Sequence, residues 1–409
     1  MIVREDYLNK IVSGFEYNPI VVLIGARQVG KTSLMEIFVK DKEYLWLNGQ
    51  NPEIAQIFQN FSTIEQYLMI NMNTNVEGLL VVDEFQFINN ISLQLKLLVD
   101  KYKKLKILCS GSSSLNIIQK VEESLAGRIR LIPVYSLNFY EFIKFKDAEF
   151  FNIITKLKIS EDSVVLFPQL RVYLNEHLTY GGLPKIALAA DYKEKKELLN
   201  DIYQTYLLKD IRQYINNVDF VTFNKLLRLL SSQISNLINI NEISNTIQLS
   251  YRKCEEYINI LEQMFIINLI SPYTSNSRKE ITKMKKIFFC DIGLRNVVYN
   301  SFNDIDVRVD NGAIFENYVF LQLLRNHKLP SINYYRTQDN TEIDFIVNEN
   351  NELNAIEAKF KYFKKHKKIR AISEFGKKND LNISYIVNRN LIDNDGNQYY
   401  IQPYHLVRI

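Results

Sequence analysis

The glycine-rich loop at residues 25–32 is the feature that most constrains this chain. It follows an uninterrupted aliphatic run at residues 20–24, which predicts a buried strand. The loop fits G-x-x-x-x-G-K-[ST] at every fixed position, and the apolar pattern of residues 34–38 predicts a helix directly after it. Gly25 and Gly30 allow backbone N–H groups to surround an anion, and the helix N-terminus adds positive potential. Strand, loop and helix together predict a phosphate-binding loop of the Walker A type.

The residues at the end of this loop carry the side chains that ATP and Mg²⁺ require. Lys31 is expected to reach the β- and γ-phosphates, and Thr32 is expected to ligate Mg²⁺. Ser33 joins Gly25 and Gly30 in the predicted nucleotide-binding set. The alternative is an ordinary strand-to-helix turn with a chance lysine, and the matching strand and helix on either side argue against it.

A second buried strand is predicted at residues 78–82, and it runs into Asp83 and Glu84. Ligand chemistry in parallel α/β sheets takes place at the carboxyl ends of the strands. We therefore expect Asp83 to face the Mg²⁺ near Thr32, and Glu84 to orient and deprotonate the water that attacks ATP. An apolar strand that ends in Asp-Glu is common by chance, so this prediction depends on the loop that precedes it.

Two further positions are interpreted as catalytic, each with an open alternative. Ser112 follows a predicted central strand, where its hydroxyl would contact the γ-phosphate or the attacking water; a Gly-Ser turn that caps the next helix explains it equally well. Arg128 precedes a fifth predicted strand and is a candidate arginine finger for the nucleotide of a neighbouring subunit. An ordinary surface arginine is the alternative for Arg128.

Composition narrows the class of protein. The formal net charge of +4 is too small to indicate nucleic-acid binding, so that function has to be argued from local charge. Cys109, Cys254 and Cys290 lie far apart, which favours neither a disulfide framework nor a zinc knuckle. No apolar run is long enough to span a bilayer, and the N-terminus lacks a signal pattern. These features predict a cytoplasmic protein of several domains.

Several segments resemble the motifs of a prokaryotic AAA+-type ATPase family. They are the loop at residues 25–32, the Val-Val-Asp-Glu run, the Ser-Gly-Ser-Ser-Ser run at 110–114, the Leu-Ala-Gly-Arg run ending at Arg128, the segment 135–142 and the Gly-Gly-Leu-Pro turn at 181–184. The resemblance implies an AAA+ core over residues 1–150 and a helical lid over residues 151–220, and we expect a homo-oligomer. The chain departs from the family at residues 48–51, where relatives are usually acidic, and at Lys209, where arginine is usual.

Residues 221–300 predict a winged helix-turn-helix. A helix, a short second helix, a turn and a longer third helix are followed by a two-stranded hairpin. The apolar residues of the third helix share one face: Cys254, Ile258, Leu261 and Phe265. The predicted contacts to DNA phosphates and bases lie at the start of the third helix and in the hairpin: Arg252, Lys253, Lys283, Lys285 and Lys286. The alternative is a winged helix that only joins proteins, which the acidic residues of the third helix favour.

Residues 301–409 predict another α/β module. Asp344 on one strand, and Glu357 and Lys359 on the next, resemble the PD-(D/E)xK restriction-endonuclease-like fold. The resemblance implies that Asp344 and Glu357 hold a divalent metal, that Lys359 polarises water or phosphate, and that Glu316 completes the cluster. The alternative is a charged strand edge that keeps the fold without the chemistry.

The predicted fold class is therefore α/β: an AAA+ core with a helical lid, a winged helix and an endonuclease-like domain. The predicted function is ATP binding and hydrolysis with Mg²⁺, acting on DNA, including branched or processed DNA, with a candidate metal-dependent nuclease module. One alternative is a protein-remodelling or signalling ATPase whose C-terminal domain is an inactive partner-binding scaffold. A second alternative is a nuclease gated by nucleotide binding without turnover.

Overall fold

The structure is a computed structural model that describes residues 2–73, 75–112, 125–156, 166–207, 219–274, 284–339, 341–350 and 352–408. The chain forms two compact units, one of residues 1–135 and 263–266, the other of residues 136–262 and 267–409. Lys209 and Lys283 lie outside the described residues. Within the described ranges, each helix is too short or too polar to cross a bilayer. The domain boundaries predicted at residues 150, 220 and 300 stay predictions.

The first unit is built on a five-stranded sheet in the order β2–β3–β4–β1–β5, and each neighbouring pair is parallel. The strands are β1 (Ile20–Ile24), β2 (Tyr44–Asn48), β3 (Gly78–Asp83), β4 (Leu105–Gly111) and β5 (Ile129–Pro133). Every position of β1 is buried, as expected for a parallel strand with both faces covered. This arrangement confirms the predicted parallel-sheet core of a P-loop ATPase.

The register of this sheet brings the polar strand ends to one edge. Ile24 lies opposite Gly111, and Asn48 lies opposite Asp83, so the segments that follow β1, β3 and β4 emerge side by side. The helices around the sheet are α1 (Glu5–Tyr17), α2 (Lys31–Val39), α3 (Pro52–Ile57), α4 (Phe61–Asn71) and α5 (Ile91–Lys101). Aliphatic side chains of the strands, α4 and α5 share one buried core. That core holds the edge rigid.

The second unit begins with helices. They are α6 (Phe139–Lys146), α7 (Ala148–Lys156), α8 (Phe167–Tyr180), α9 (Pro184–Leu188) and α10 (Tyr192–Asp201). The Gly-Gly-Leu-Pro turn lies between α8 and α9, and its first position requires glycine for a steric reason. Gly181 has a φ of +78°, and a Cβ at this position would lie 2.2 Å from Asp291 Oδ1. Gly182 N–H donates to Asp291 Oδ2 at 2.9 Å, so the turn is shaped around a buried carboxylate.

A three-helix segment with a small sheet follows. The helices are α11 (Phe220–Ser232), α12 (Ile240–Ile247) and α13 (Tyr251–Gln263), and the strands are β6 (Leu237–Ile238), β7 (Ile267–Ile270) and β8 (Lys285–Phe289). The sheet order is β6–β8–β7, and both pairs are antiparallel. Asn239 caps α12, and Gln248 ends it in the left-handed region. As the pattern predicted, Cys254, Ile258 and Leu261 are buried along one face of α13.

The remainder of the second unit forms a six-stranded sheet in the order β13–β14–β12–β11–β10–β9. The strands are β9 (Ile332–Arg336), β10 (Glu342–Glu349), β11 (Glu352–Ala358), β12 (Leu381–Val387), β13 (Asp393–Asp395) and β14 (Gln398–Ile401). The accompanying helices are α14 (Ile292–Tyr299), α15 (Asn311–Asn326) and α16 (Arg370–Gly376). Strands β10 and β11 pair as an antiparallel hairpin, which sets Asp344 beside Glu357.

Candidate active site

The glycine loop connects β1 to α2, and its two glycines are required by backbone geometry. Gly25 has a φ of +155°, and a Cβ at this position would lie 2.1 Å from Val134 O. Gly30 is the residue before α2 and adopts the left-handed region at a φ of 93°. A larger residue would strain either position. The loop therefore has the tight, backbone-lined form that an anion site needs.

The Lys31 side chain turns back into this loop. Its Nζ donates to Gly25 O at 2.9 Å and to Ala26 O at 2.8 Å, and the residue is buried. These partners are neutral carbonyls, so the ammonium charge is held at the loop without being neutralised by them. Ser33 lies exposed in the first turn of α2.

Thr32 and Asp83 meet across the strand edge, although they are far apart in sequence. Thr32 Oγ1 donates to Asp83 Oδ2 at 3.1 Å, and the Ser110 hydroxyl donates to Asp83 Oδ1. Asp83 is 5% exposed. A hydroxyl and a carboxylate are hard oxygen ligands, and the ordinary Mg²⁺ site in proteins uses one or two such side chains with water and phosphate. The pair fits Mg²⁺.

Glu84 sits in a strained backbone position beside this pair. Its φ of 53° places a non-glycine residue in the left-handed region, and its N–H donates to Ser110 Oγ at 3.1 Å. The Glu84 carboxylate accepts hydrogen bonds from Gln86 Nε2 and from Ser112 Oγ, the latter at 3.4 Å. Gln86 Nε2 also lies 2.9 Å from Ser112 Oγ. The structure thus brings Glu84 and Ser112 together and adds Gln86, which the sequence analysis missed.

Arg128 lies at the opposite edge of the sheet from the glycine loop. Ile20 N–H donates to Arg128 O at 3.1 Å, which puts Arg128 at the amino ends of β1 and β5. The length of β1, about 13 Å, separates that edge from the loop. The guanidinium donates to both carboxylate oxygens of Asp100, at 2.8 and 3.2 Å, and this contact lowers the pKa of Asp100. Arg128 therefore does not join the site in its own chain.

In the second unit, the structure brings Asp344, Glu357 and Lys359 together. Lys359 Nζ lies 2.5 Å from Glu357 Oε1 and 3.6 Å from Asp344 Oδ2. The carboxylates also accept backbone hydrogen bonds: Ala358 N–H donates to Asp344 Oδ2 at 2.8 Å, and Asp344 N–H donates to Glu357 Oε2 at 3.2 Å. The chain's own donors thus engage both carboxylates.

Lys286 is a second cation at this cluster, which corrects its predicted role. It is 2% exposed, so it is not on the surface where a DNA phosphate would meet it. Its Nζ lies 2.6 Å from Glu316 Oε1, 2.6 Å from Glu342 Oε1 and 3.9 Å from Asp344 Oδ1. The burial of β8 explains the error, because Lys285 is exposed at its first position and the other four residues are buried.

The predicted metal-ligand set of Glu316, Asp344 and Glu357 stays a prediction. In the ranges that the structure describes, no group of three or more carboxylate, histidine or cysteine side chains is arranged to hold a metal ion. Burial, together with the charge of Asp344, raises the pKa of Glu316 to about 8 and that of Glu357 to about 7. Two ammonium groups and these shifted carboxyl groups balance the charge that a metal was expected to balance.

The predicted nucleic-acid face has exposed basic residues and a groove. Arg252 and Lys253 are exposed in the first turn of α13, and Lys285 is exposed at the start of β8. Beside them is a groove of about 310 Å³. Its lining includes polar, acidic and apolar side chains: Asn239, Tyr251, Glu255, Asn259, Met284 and Lys285. This face therefore combines exposed basic residues with a groove that polar, acidic and apolar side chains line.

Three parts of the chain match known protein families. Residues 17–143 match the family described as "AAA domain". Residues 171–304 match "Domain of unknown function (DUF8612)", and residues 311–406 match "Domain of unknown function (DUF4143)". The first of these matches spans the glycine loop, Asp83 and Glu84. The chain therefore contains an AAA-type P-loop ATPase domain, which confirms that part of the predicted resemblance.

Whole-chain relatives are similar over most of the sequence. An uncharacterized protein of Methanocaldococcus jannaschii is 28% identical over 349 residues, which cover 82% of this chain and 74% of the relative. An uncharacterized protein of Haemophilus influenzae is 24% identical over 375 residues, which cover 88% and 87%. Among solved structures, the Walker-type ATPase of Pyrococcus abyssi is 16% identical with a TM-score of 0.49, over 73% of this chain and 96% of that one.

Proposed function

We propose that the AAA-type P-loop domain hydrolyses ATP with Mg²⁺ and that DNA bound by the second unit stimulates this turnover. The observation that carries the proposal is that four residues of the predicted site lie at the carboxyl edge of one parallel sheet. They are Lys31, Thr32, Asp83 and Glu84, from the loop after β1 and the end of β3. Ligand chemistry in parallel α/β sheets belongs at this edge.

Each of these residues has a role that follows from its chemistry. Lys31 would exchange its two carbonyl partners for phosphate oxygens, because a phosphate offers the ammonium more charge than a peptide does. Thr32 and Asp83 would hold Mg²⁺, which when bound neutralises charge on the phosphate oxygens. Glu84 would accept the proton of the attacking water. Gly25, Gly30 and Ser33 would surround the phosphates from the loop and the first turn of α2.

Gln86 and Ser112 are proposed as positioning residues for Glu84. Both donate to its carboxylate, and their own contact ties them together. A general base needs a fixed direction toward the water, because a misplacement of about 1 Å costs roughly 100-fold in rate. The amide and the hydroxyl are neutral donors, so they orient Glu84 without cancelling its charge.

Arg128 is proposed to act on a neighbouring copy in a homo-oligomer. Its place at the amino ends of β1 and β5 removes it from the loop of its own chain, whereas its partly exposed guanidinium can face a second molecule. It would have to leave Asp100 to do so. An arginine finger contributes on the order of 10³-fold or more to turnover.

The proposed DNA contact is a winged helix made of α11, α12, α13 and the β6–β8–β7 sheet. The third helix would present Arg252 and Lys253 to DNA, and Lys285 would act from the start of β8. Lys283 belongs to the same prediction. This set differs from the one read from the sequence by the loss of Lys286, which is buried.

A second candidate function is favoured by the groove beside these residues. Its lining includes Glu255 and several amide side chains, and Met284, which also lines it, is 48% exposed. A carboxylate repels a phosphate backbone but suits a basic peptide, and an exposed methionine adapts to apolar partners. The alternative is therefore a protein-remodelling or signalling ATPase whose second unit binds protein partners.

Steady-state ATP turnover with and without DNA separates these functions. Turnover that rises with duplex, single-stranded or branched DNA supports the DNA proposal, provided that Lys31→Ala abolishes it. If no form of DNA changes the rate of ATP turnover, the protein-binding alternative is favoured. If the protein hydrolyses no ATP under any condition, the proposed ATPase function is contradicted.

A salt titration tests where DNA binds. The triple variant Arg252→Ala, Lys253→Ala, Lys285→Ala should flatten the log–log dependence of DNA affinity on salt, by about 0.9 for each phosphate that the variant no longer neutralises. A matched control replaces three exposed lysines outside the winged helix, Lys185, Lys193 and Lys377, and should leave the slope unchanged. An equal decrease in both triple variants would mean that binding follows net charge and not this face.

A further inference from the structure

The position of Lys286 is fixed by the main chain around it. Strand β8 is the central strand of its sheet, and Lys286 is paired with Leu237 on one side and with Ile270 on the other. Because both strand edges are hydrogen-bonded, the lysine stem cannot turn outward without breaking the sheet. Its ammonium therefore stays among the carboxylates of α15 and β10.

Several oxygen atoms of the cluster face ammonium or N–H groups of the chain. Glu316 and Glu342 each present an oxygen to Lys286 at 2.6 Å. Of the two Asp344 oxygens, Oδ1 faces Lys286 and Oδ2 accepts the Ala358 N–H. Glu357 divides its oxygens between Lys359 and the Asp344 N–H. Lys286 Nζ occupies the point toward which oxygens of Glu316, Glu342 and Asp344 converge, and a divalent ion would need the same oxygens.

The electrostatic balance agrees with this geometry. Burial alone lowers the pKa of Lys286, but the carboxylates of Glu316, Asp344 and Glu342 raise it well above the ordinary lysine value. The surrounding carboxylates therefore favour the charged form of Lys286. A second cation placed among the same carboxylates would meet like-charge repulsion from this buried ammonium.

We propose that the Lys286 ammonium is the resident cation of this cluster and excludes divalent metal from it. Asp344, Glu357 and Lys359 then keep the arrangement of a nuclease-like site, while β8 supplies a covalently attached substitute for the ion. The wild-type module does not cleave DNA by a metal-dependent route. Removing the lysine charge turns the cluster into a site for a hard divalent ion with oxygen ligands. This inference is independent of the proposed ATPase function, since it concerns the second unit alone.

The experiment measures Mn²⁺ binding to the full chain without nucleotide, by the loss of the free-Mn²⁺ electron paramagnetic resonance signal. Every protein carries Thr32→Val, so that the phosphate loop does not contribute a metal ligand. With Lys286 present, we expect no Mn²⁺ binding that depends on Asp344. Adding Lys286→Met should create one Mn²⁺ site per chain, and adding Asp344→Asn to that variant should remove it. Lys286→Arg keeps the charge and should gain no site.

Two results overturn the proposal. One is Mn²⁺ binding by the lysine-containing chain that Asp344→Asn removes, because it shows that metal and Lys286 coexist. The other is a folded Lys286→Met variant, with a circular dichroism spectrum like that of the parent, that still binds no Mn²⁺. If Lys286→Met does not fold, the lysine-containing chain and its Asp344→Asn partner decide the question: absent binding supports the proposal, and Asp344-dependent binding rejects it.

Discussion

Two candidate sites in this protein each combine a buried lysine with a buried carboxylate, but the lysines have different partners. At the edge of the first sheet, Lys31 donates to the carbonyls of its own loop, and Asp83 accepts hydrogen bonds from the hydroxyls of Thr32 and Ser110. In the second unit, Lys286 contacts the carboxylates directly. Neutral hydroxyl donors leave the charge of Asp83 available to a metal ion. The Lys286 ammonium instead cancels the charge of the carboxylates that it contacts.

The difference shows that a set of acidic residues does not by itself predict a metal site. The number and position of internal cations decide whether the cluster still needs an external one. A lysine that bonds to carbonyls can exchange them for phosphate at small cost. A lysine that neutralises buried carboxylates cannot leave without exposing an unpaired charge to a low-dielectric interior.

The largest expected effect lies at the first edge. Lys31→Ala should abolish nucleotide binding or turnover, because the cation at the β- and γ-phosphates is lost. Glu84→Gln should keep ATP binding and lower turnover by about 10²–10⁴-fold, the usual contribution of a general base. Turnover by a phosphate-release assay and binding of a fluorescent ATP analogue check both. Wild-type turnover in Glu84→Gln would show that another group takes the proton.

The second prediction concerns the contribution of each lysine to the free energy of unfolding. Lys286→Met should destabilise the folded chain by about 3–5 kcal/mol, because it leaves buried carboxylates without their cation. Lys31→Met should cost less, about 1–3 kcal/mol, because it removes a donor from neutral carbonyls. Urea unfolding followed by circular dichroism compares the two variants. If both substitutions lowered the free energy of unfolding equally, the proposed difference between Lys31 and Lys286 would be wrong.

The third effect concerns the orientation of Glu84. Gln86→Ala should lower turnover by up to about 100-fold while leaving the affinity for ATP nearly unchanged, since Gln86 acts through the carboxylate and not on the phosphates. Gln59→Ala, an exposed position of the same unit, is the matched control and should behave as the wild type. A Gln86→Ala variant that loses ATP affinity as well would mean that Gln86 shapes the loop instead.

The fourth prediction is a pH dependence of stability that arises in the second unit. Burial and the charge of Asp344 raise the pKa of Glu316 to about 8 from an ordinary 4.5, so the folded state retains a proton that the unfolded chain releases. Stability from this group is therefore full below about pH 4.5 and is lost as the pH rises through about 8. The charged and titratable neighbours that face Glu316 come from several elements: Lys286, Glu342, Asp344 and Lys359.

Replacement by glutamine isolates that contribution. The free energy of unfolding of Glu316→Gln, relative to the wild type, should rise between pH 5 and pH 8, with a slope of at most about 1.4 kcal/mol per pH unit. Urea titrations at matched ionic strength provide the comparison, and the other titrating groups cancel in the difference. Parallel curves for the two proteins across this range would show that Glu316 is already ionised.

The sequence alone determined the features that depend on neighbouring residues. Strand, glycine loop and helix are consecutive, so the loop at residues 25–32 and the parallel-sheet core could be predicted from local pattern. Asp83 required one further rule, that parallel strands end at a common edge. The turn at Gly181 and the buried face of α13 are local for the same reason: φ preference and helical period act within a few residues.

Only the tertiary structure decided which charges meet. Lys286 looks like part of a basic hairpin in the sequence, and its partners Glu316 and Glu342 lie 30 and 56 residues further along the chain. Gln86 gave no motif signal, because its role depends on the positions of Glu84 and Ser112. Coulomb interactions and burial act through space and are strongest where water is excluded. Packing therefore decided that Asp83 contacts neutral hydroxyl groups, whereas Glu316 and Glu342 contact the Lys286 ammonium.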